Sequence, residues 1–146
     1  MPNCNIHNSH MNIAKEIAQR SYAKRLKVGA IIVKNHSIIS DGYNGMPYGF
    51  DNICEKNNIT NIELMHAESN AIAKIAKSNQ SSNNSTLYVT TSPCIECAKL
   101  IIQCGIKTVY IENMYRLLDG INMLIKANLI VFIKDKKRNI FCEYVK

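Results

Sequence analysis

Tryptophan is absent from the chain, phenylalanine and proline occur three times each, and aromatic residues make up only 7%. A surface that stacks unpaired bases along a strand draws on such rings, so their scarcity argues mildly against a polynucleotide partner. Long apolar runs are also missing. Segments such as Leu129–Ile133 fall far short of the ~20 residues that span a bilayer. Met1–Met11 is polar and has no apolar segment behind a basic start, so no secretory leader is expected. The expected address is the cytoplasm, or the host cytoplasm for a viral chain. Acidic residues are the scarcer charge: 11 Asp and Glu stand against 18 Lys and Arg, a net charge of +7. That balance favours anionic partners, from nucleotides to nucleic acid, without choosing among them. The lysines are scattered, and the one basic run, Lys134–Arg138, reads as an exposed turn.

What is present fits one folded domain. The 146 residues suffice for a single core and not for two. Residues 1–11 read as a flexible tail, although Cys4, His7 and His10 have a spacing that would suit a metal. Residues 12–146 read as the domain. Ile13, Ile17, Ala18 and Tyr22 recur at helical spacing, and Val28–Val33 and Ser37–Tyr43 read as a hairpin around an Asn35-His36 turn. A long irregular segment from Asn44 to about Asn61 follows, of the kind that usually carries function. Then come a helix over His66–Lys77, a strand over Leu87–Thr91, and a helix opened by Ser92-Pro93 and stopped at Gly105. A strand at Val109–Ile111, a helix over Leu117–Ala127, a strand at Leu129–Ile133 and an optional edge strand at Ile140–Val145 complete the chain. Strands alternating with helices imply parallel pairing in the second half. The expected fold is an α/β/α sandwich of three layers with a mixed five-stranded sheet.

Six cysteines in a chain expected in the cytosol point to metal or redox chemistry sooner than to disulfides. Cys94 and Cys97 stand one helical turn apart at a helix start, where free N–H groups and the helix dipole favour thiolates. Alone, that Cys-x-x-Cys after a strand is equally the thioredoxin arrangement. His66-Ala67-Glu68, at the start of another helix, changes the balance. Three ligands plus an open fourth position make a catalytic zinc site, and His66, Cys94 and Cys97 supply three. Glu68 adds a carboxylate that can move protons beside the metal without binding it. His-x-Glu followed by Pro-Cys-x-x-Cys is the zinc nucleobase deaminase signature.

On these residues the chain resembles the cytidine deaminase superfamily and, within it, the deoxycytidylate deaminases. The likeness runs from about Ile13 to Ile133. It is carried further by Ser21–Val33, by Gly42-Tyr43-Asn44-Gly45-Met46-Pro47-Tyr48-Gly49 and by Tyr110–Arg116. It implies hydrolysis of dCMP to dUMP and ammonia with one catalytic Zn2+ per chain and Glu68 as the proton shuttle. It also implies a homo-oligomer, commonly a hexamer, activated by dCTP and inhibited by dTTP, with Mg2+ accompanying the triphosphate effector. Arg25 and Arg116, two of four arginines in a lysine-rich chain, are expected at the phosphate because the guanidinium fork matches its oxygens. Asn44 is expected at the sugar. Ser21, Lys24, Ala67, Ser92, Pro93 and Tyr115 complete the expected substrate site, and Gly42, Tyr43, Asn44 and Gly45 the effector site. Many members carry Cys where Ala23 stands, and some use it with a loop Cys and nearby histidines to hold a second, structural zinc. Ala23 cannot ligate and Leu64 offers no histidine, so Cys54, Cys104 and Cys142 are expected to be structural thiols. The alternatives are a polynucleotide deaminase acting on tRNA or single-stranded DNA and, more remotely, a non-catalytic or redox Cys-x-x-Cys protein.

Overall fold

The computed structural model describes residues 4–145. Two strands, β1 (Gly29–Lys34) and β2 (Ser37–Tyr43), form the expected hairpin. Asn35 and His36 turn it with φ of 50° and 65°, the paired left-handed residues that suit a two-residue hairpin loop. Strands β5 (Thr86–Thr91), β6 (Thr108–Asn113), β7 (Ile130–Asp135) and β8 (Ile140–Glu143) complete one sheet in the order β2-β1-β5-β6-β7-β8. β5, β6 and β7 run parallel, while β1 and β8 pair antiparallel with their neighbours. The sheet is therefore mixed, with six strands where five were expected; the optional segment at Ile140 is a full edge strand. The irregular segment also contains a small hairpin of its own, β3 (Glu55–Lys56) and β4 (Ile59–Thr60).

Three helices, α2 (Ala67–Ala76), α3 (Ile95–Gln103) and α4 (Asp119–Lys126), share a core with one face of the sheet. Ala30, Ile32, Leu87, Val89, Val109, Ile111 and Val131 alternate onto that face and are all fully buried, as the two-residue period of a strand requires. Gly42 sits where β2 meets α2: a Cβ there would stand 2.3 Å from the Ala67 carbonyl oxygen. Only glycine permits so close an approach.

The other face is covered by α1 (Cys4–Ala18), and here the expectation of a flexible tail is corrected. From Cys4 onward the segment is helical, beginning eight residues before the expected start at Asn12; residues 1–3 lie outside the described chain. The reason is an aromatic ladder beneath it. Tyr88, Tyr110 and Phe132 are register partners on β5, β6 and β7, and their rings stack at 4.8 and 4.7 Å. His7 stacks on Tyr110 at 4.3 Å, and His10 and Met11 are buried beside it. His7, His10, Met11, Ala14 and Ile17 form one stripe of the helix. The histidines thus serve packing, and Cys4, His7 and His10 do not form a metal-type cluster among the described residues.

Candidate functional site

Two helix starts converge beside β5. His66 is the N-cap of α2 and Cys94 the N-cap of α3, both extended in backbone (ψ 160° and 170°). The expected cap, Ser92, stands two residues too early. The Cys94 sulfur takes the capping role instead, accepting the Cys97 N–H at 3.5 Å. Because His66 lies just outside its helix, its ring escapes the angular separation from Glu68 that a regular helix would impose. His66 Nδ1 lies 3.4 Å from Cys94 Sγ and 3.4 Å from Cys97 Sγ. All three donor atoms fall within 4.8 Å of one another. Tetrahedral zinc with N and S ligands at ~2.1 and ~2.3 Å sets neighbouring donors about 3.6 Å apart. The donor set and its spacing therefore fit zinc.

The three donor groups shift one another's protonation. Cys94 is pulled down to about 3 by hydrogen bonds from Cys97 and then His66, while Cys97 is pushed well above the usual thiol range by its bond to Cys94 and by burial. His66 is raised, first by its bond to Cys94. Glu68 is 3% exposed, and burial raises its carboxyl above the ordinary value. A carboxyl held there takes up and gives back a proton more readily near neutral pH than an exposed one.

The triangle opens into a cavity of about 490 Å³. Of the residues expected at the site, Arg25, Asn44, His66, Ala67, Glu68, Ser92, Cys94 and Tyr115 line it, with Cys97 buried beside Cys94. The others are placed elsewhere. Ser21 is buried behind the wall, bonding the Asn44 carbonyl at 2.7 Å and the Ala23 N–H at 3.1 Å. Lys24 contributes its backbone N–H to Glu55. Pro93 packs against α4, where a Cβ on Gly120 would come within 2.0 Å of its carbonyl oxygen. Arg116 lies over the Tyr115 ring at 5.7 Å and is not among the residues that line the cavity. Gly45 exchanges backbone hydrogen bonds with Met65, and Tyr43 accepts one from Asn70. Asn44 lines the cavity as a staple: its Oδ1 accepts the Val28 N–H and its Nδ2 donates to the Leu26 carbonyl, both at 2.8 Å. Ser92 accepts the Tyr115 N–H at 2.7 Å and so sets that ring's position. Sequence reasoning missed Glu55 and Thr60, both in the wall. The available signal was a carboxylate in the long loop of a chain short of them. Ala23 and Cys54 are both buried, as a packed alanine and a structural thiol would be.

An α/β/α domain with a His–Cys–Cys triangle at two helix starts and a buried carboxylate alongside defines a class of zinc-binding hydrolytic domains. The chain belongs to the family described as the cytidine and deoxycytidylate deaminase zinc-binding region, whose model matches residues 4–113. It is 41% identical over 104 residues to ComE operon protein 2 of Bacillus subtilis, covering 68% of this chain and 55% of that one. It is 33% identical over 171 residues to the deoxycytidylate deaminase of Enterobacteria phage T4, covering 87% of this chain and 89% of the phage protein. The chain thus spans about half the length of the Bacillus relative and most of the phage one. Among solved structures, the dCMP deaminase of cyanophage S-TIM5 in complex with dCMP and dUMP superposes with a TM-score of 0.87. It is 45% identical and covers 91% of this chain and 98% of that one. No helix among the described residues is long and apolar enough to cross a membrane.

Proposed function

We propose that this chain is a zinc-dependent deaminase that hydrolyses dCMP to dUMP and ammonia. The observation that carries the reading is the buried Glu68 carboxyl beside the His66–Cys94–Cys97 triangle. The likeness to a structure holding dCMP and dUMP supports the choice of substrate. His66, Cys94 and Cys97 would hold the zinc. Bound there, zinc supplies the Lewis acidity that makes water nucleophilic near neutral pH. Glu68 takes the proton from the attacking water, passes it to the ring nitrogen beside the amine-bearing carbon, and helps protonate the departing ammonia. Arg25 offers its guanidinium to the 5′-phosphate. Tyr115, held by Ser92, borders the pocket, while Asn44 keeps the Leu26–Val28 wall in place.

The reading extends to dUMP as a precursor for thymidylate and to control by dCTP and dTTP, with Mg2+, in a homo-oligomer such as a hexamer. Family membership and the +7 charge support that extension. Gly42 and Gly45 themselves are engaged in backbone packing, so an effector would bind through neighbouring side chains. Ammonia release from dCMP, deoxycytidine, dCTP and single-stranded DNA, measured side by side on zinc-loaded protein, tests the proposal. dCMP should be the best substrate by at least about tenfold, the scale of one charge-assisted bond. Equal or greater turnover of the DNA would overturn it in favour of a polynucleotide deaminase.

A further inference from the structure

Glu55 stands in the cavity wall with no assigned role. Its Oε1 accepts the backbone N–H of Lys24 at 2.9 Å and of Arg25 at 3.1 Å. Across its hairpin it pairs with Thr60, whose hydroxyl oxygen lies 3.5 Å from Arg25 Nη1. One rung of the β3–β4 hairpin therefore grips both the backbone and the head of Arg25. The hairpin is itself fixed: Cys54 is buried, its carbonyl accepts the Asn61 N–H at 2.8 Å, and Asn57 and Asn58 close the tip in left-handed geometry. Among the described residues no basic nitrogen lies within 4.0 Å of the Glu55 carboxylate. Two amides satisfy one oxygen, and the negative charge stays unpaired beside the arginine that faces the cavity.

We infer that Glu55 is a positioning and specificity residue: it holds the Arg25 turn in place for a single phosphoryl group and repels a second one. The inference rests on the dCMP reading above. A monophosphate engaged by Arg25 would lie beside the Glu55–Thr60 rung, which lines the same wall. A diphosphate must set a further anionic group against the free carboxylate or turn away from Arg25, the one arginine lining the cavity among the described residues. Like-charge placement of this kind discriminates by repulsion, leaving the attraction for the correct ligand intact. At short range near the protein surface it is worth a factor of about ten or more.

The test compares kcat/KM for dCMP, dCDP and deoxycytidine in zinc-loaded wild type, Glu55→Gln, Glu55→Asp and Glu55→Ala. The diphosphate is the probe because dCTP is expected at an effector site as well. Gln keeps an oxygen for both amides and removes the charge. The dCMP-to-dCDP ratio should fall at least about tenfold in that variant, through a lower KM for dCDP, on the repulsion argument above. Asp keeps the charge and should keep the preference. Ala loses the grip on the turn as well, so KM for dCMP should rise about tenfold with kcat affected less and deoxycytidine hardly at all, and Gln should rescue part of that rise. A ratio in Glu55→Gln equal to wild type, in a protein that turns over dCMP, overturns this inference alone. Wild type inactive on dCMP overturns the underlying reading together with it.

Discussion

His7 Nδ1 lies 2.7 Å from the Tyr88 hydroxyl, binding the first turns of the N-terminal helix to the middle of the sheet. Its other nitrogen is 3.2 Å from the Tyr110 hydroxyl, so the ring is bonded at both ends and stacked between them. Burial and then the neighbouring His10 lower its pKa below the ordinary 6.5. His10 is lowered likewise, by burial and then His36.

A pH dependence of stability follows. A histidine whose folded pKa is depressed stabilises the fold fully above its unfolded pKa of ~6.5, and that contribution falls as pH drops toward the folded value, by up to ~1.4 kcal/mol per pH unit. His7→Gln keeps a donor and an acceptor without the titration. Urea midpoints measured on both proteins between pH 7.5 and 5 should show the advantage of wild type shrinking as pH falls. A constant difference across that range would mean His7 is not held neutral.

That helix marks where the sequence was hard to read. Histidines and a cysteine among asparagines look like a tail, because their partners, Tyr88 and Tyr110, lie more than 80 residues away. Ser92 similarly carried the strongest local capping signal, yet the Cys94 sulfur caps the helix and Ser92 holds Tyr115. Local propensity yields to tertiary contacts in both cases. The layers, the parallel half of the sheet and the His66–Cys94–Cys97 meeting were legible because periodicity and motif spacing are local. Which arginine faces the cavity was not legible, since that depends on where two distant loops come to rest.

Zinc should be present at about one per chain in purified protein, and Cys94→Ala with Cys97→Ala should reduce it to trace amounts. Each substitution takes a thiolate from a three-ligand set, and one remaining imidazole does not compete for the metal. Metal analysis by mass spectrometry checks this. Zinc retained in the double variant would place the metal elsewhere in the chain.

Glu68→Gln should lower kcat on dCMP by roughly 10²–10⁴-fold, the usual worth of general acid–base catalysis, with the zinc content unchanged. The carboxyl is buried beside the triangle and is not one of its three members. Turnover and metal content measured on the same sample separate the two roles. A parallel loss of zinc would show that Glu68 supports the site's structure, and the proton-transfer role would fall.

The arginines should divide unequally. Arg25 lines the cavity, whereas Arg116 lies over the Tyr115 ring and is not among the lining residues. A guanidinium in direct contact with phosphate contributes about 1.5–3 kcal/mol, so Arg25→Ala should cost dCMP on the order of 10–100-fold in kcat/KM. Deoxycytidine has no phosphate to lose, and its turnover should change little, collapsing the preference for the monophosphate. Arg116→Ala removes only a cation–π contact on an exposed ring, worth about 0.5–1 kcal/mol, and should reduce both substrates by a similar, small factor. Steady-state kinetics on both substrates with both variants decides the matter. If Arg116→Ala instead abolished the monophosphate preference while Arg25→Ala left it intact, the phosphate would lie on the Tyr115 side of the cavity, and the β3–β4 wall would have no part in recognising it.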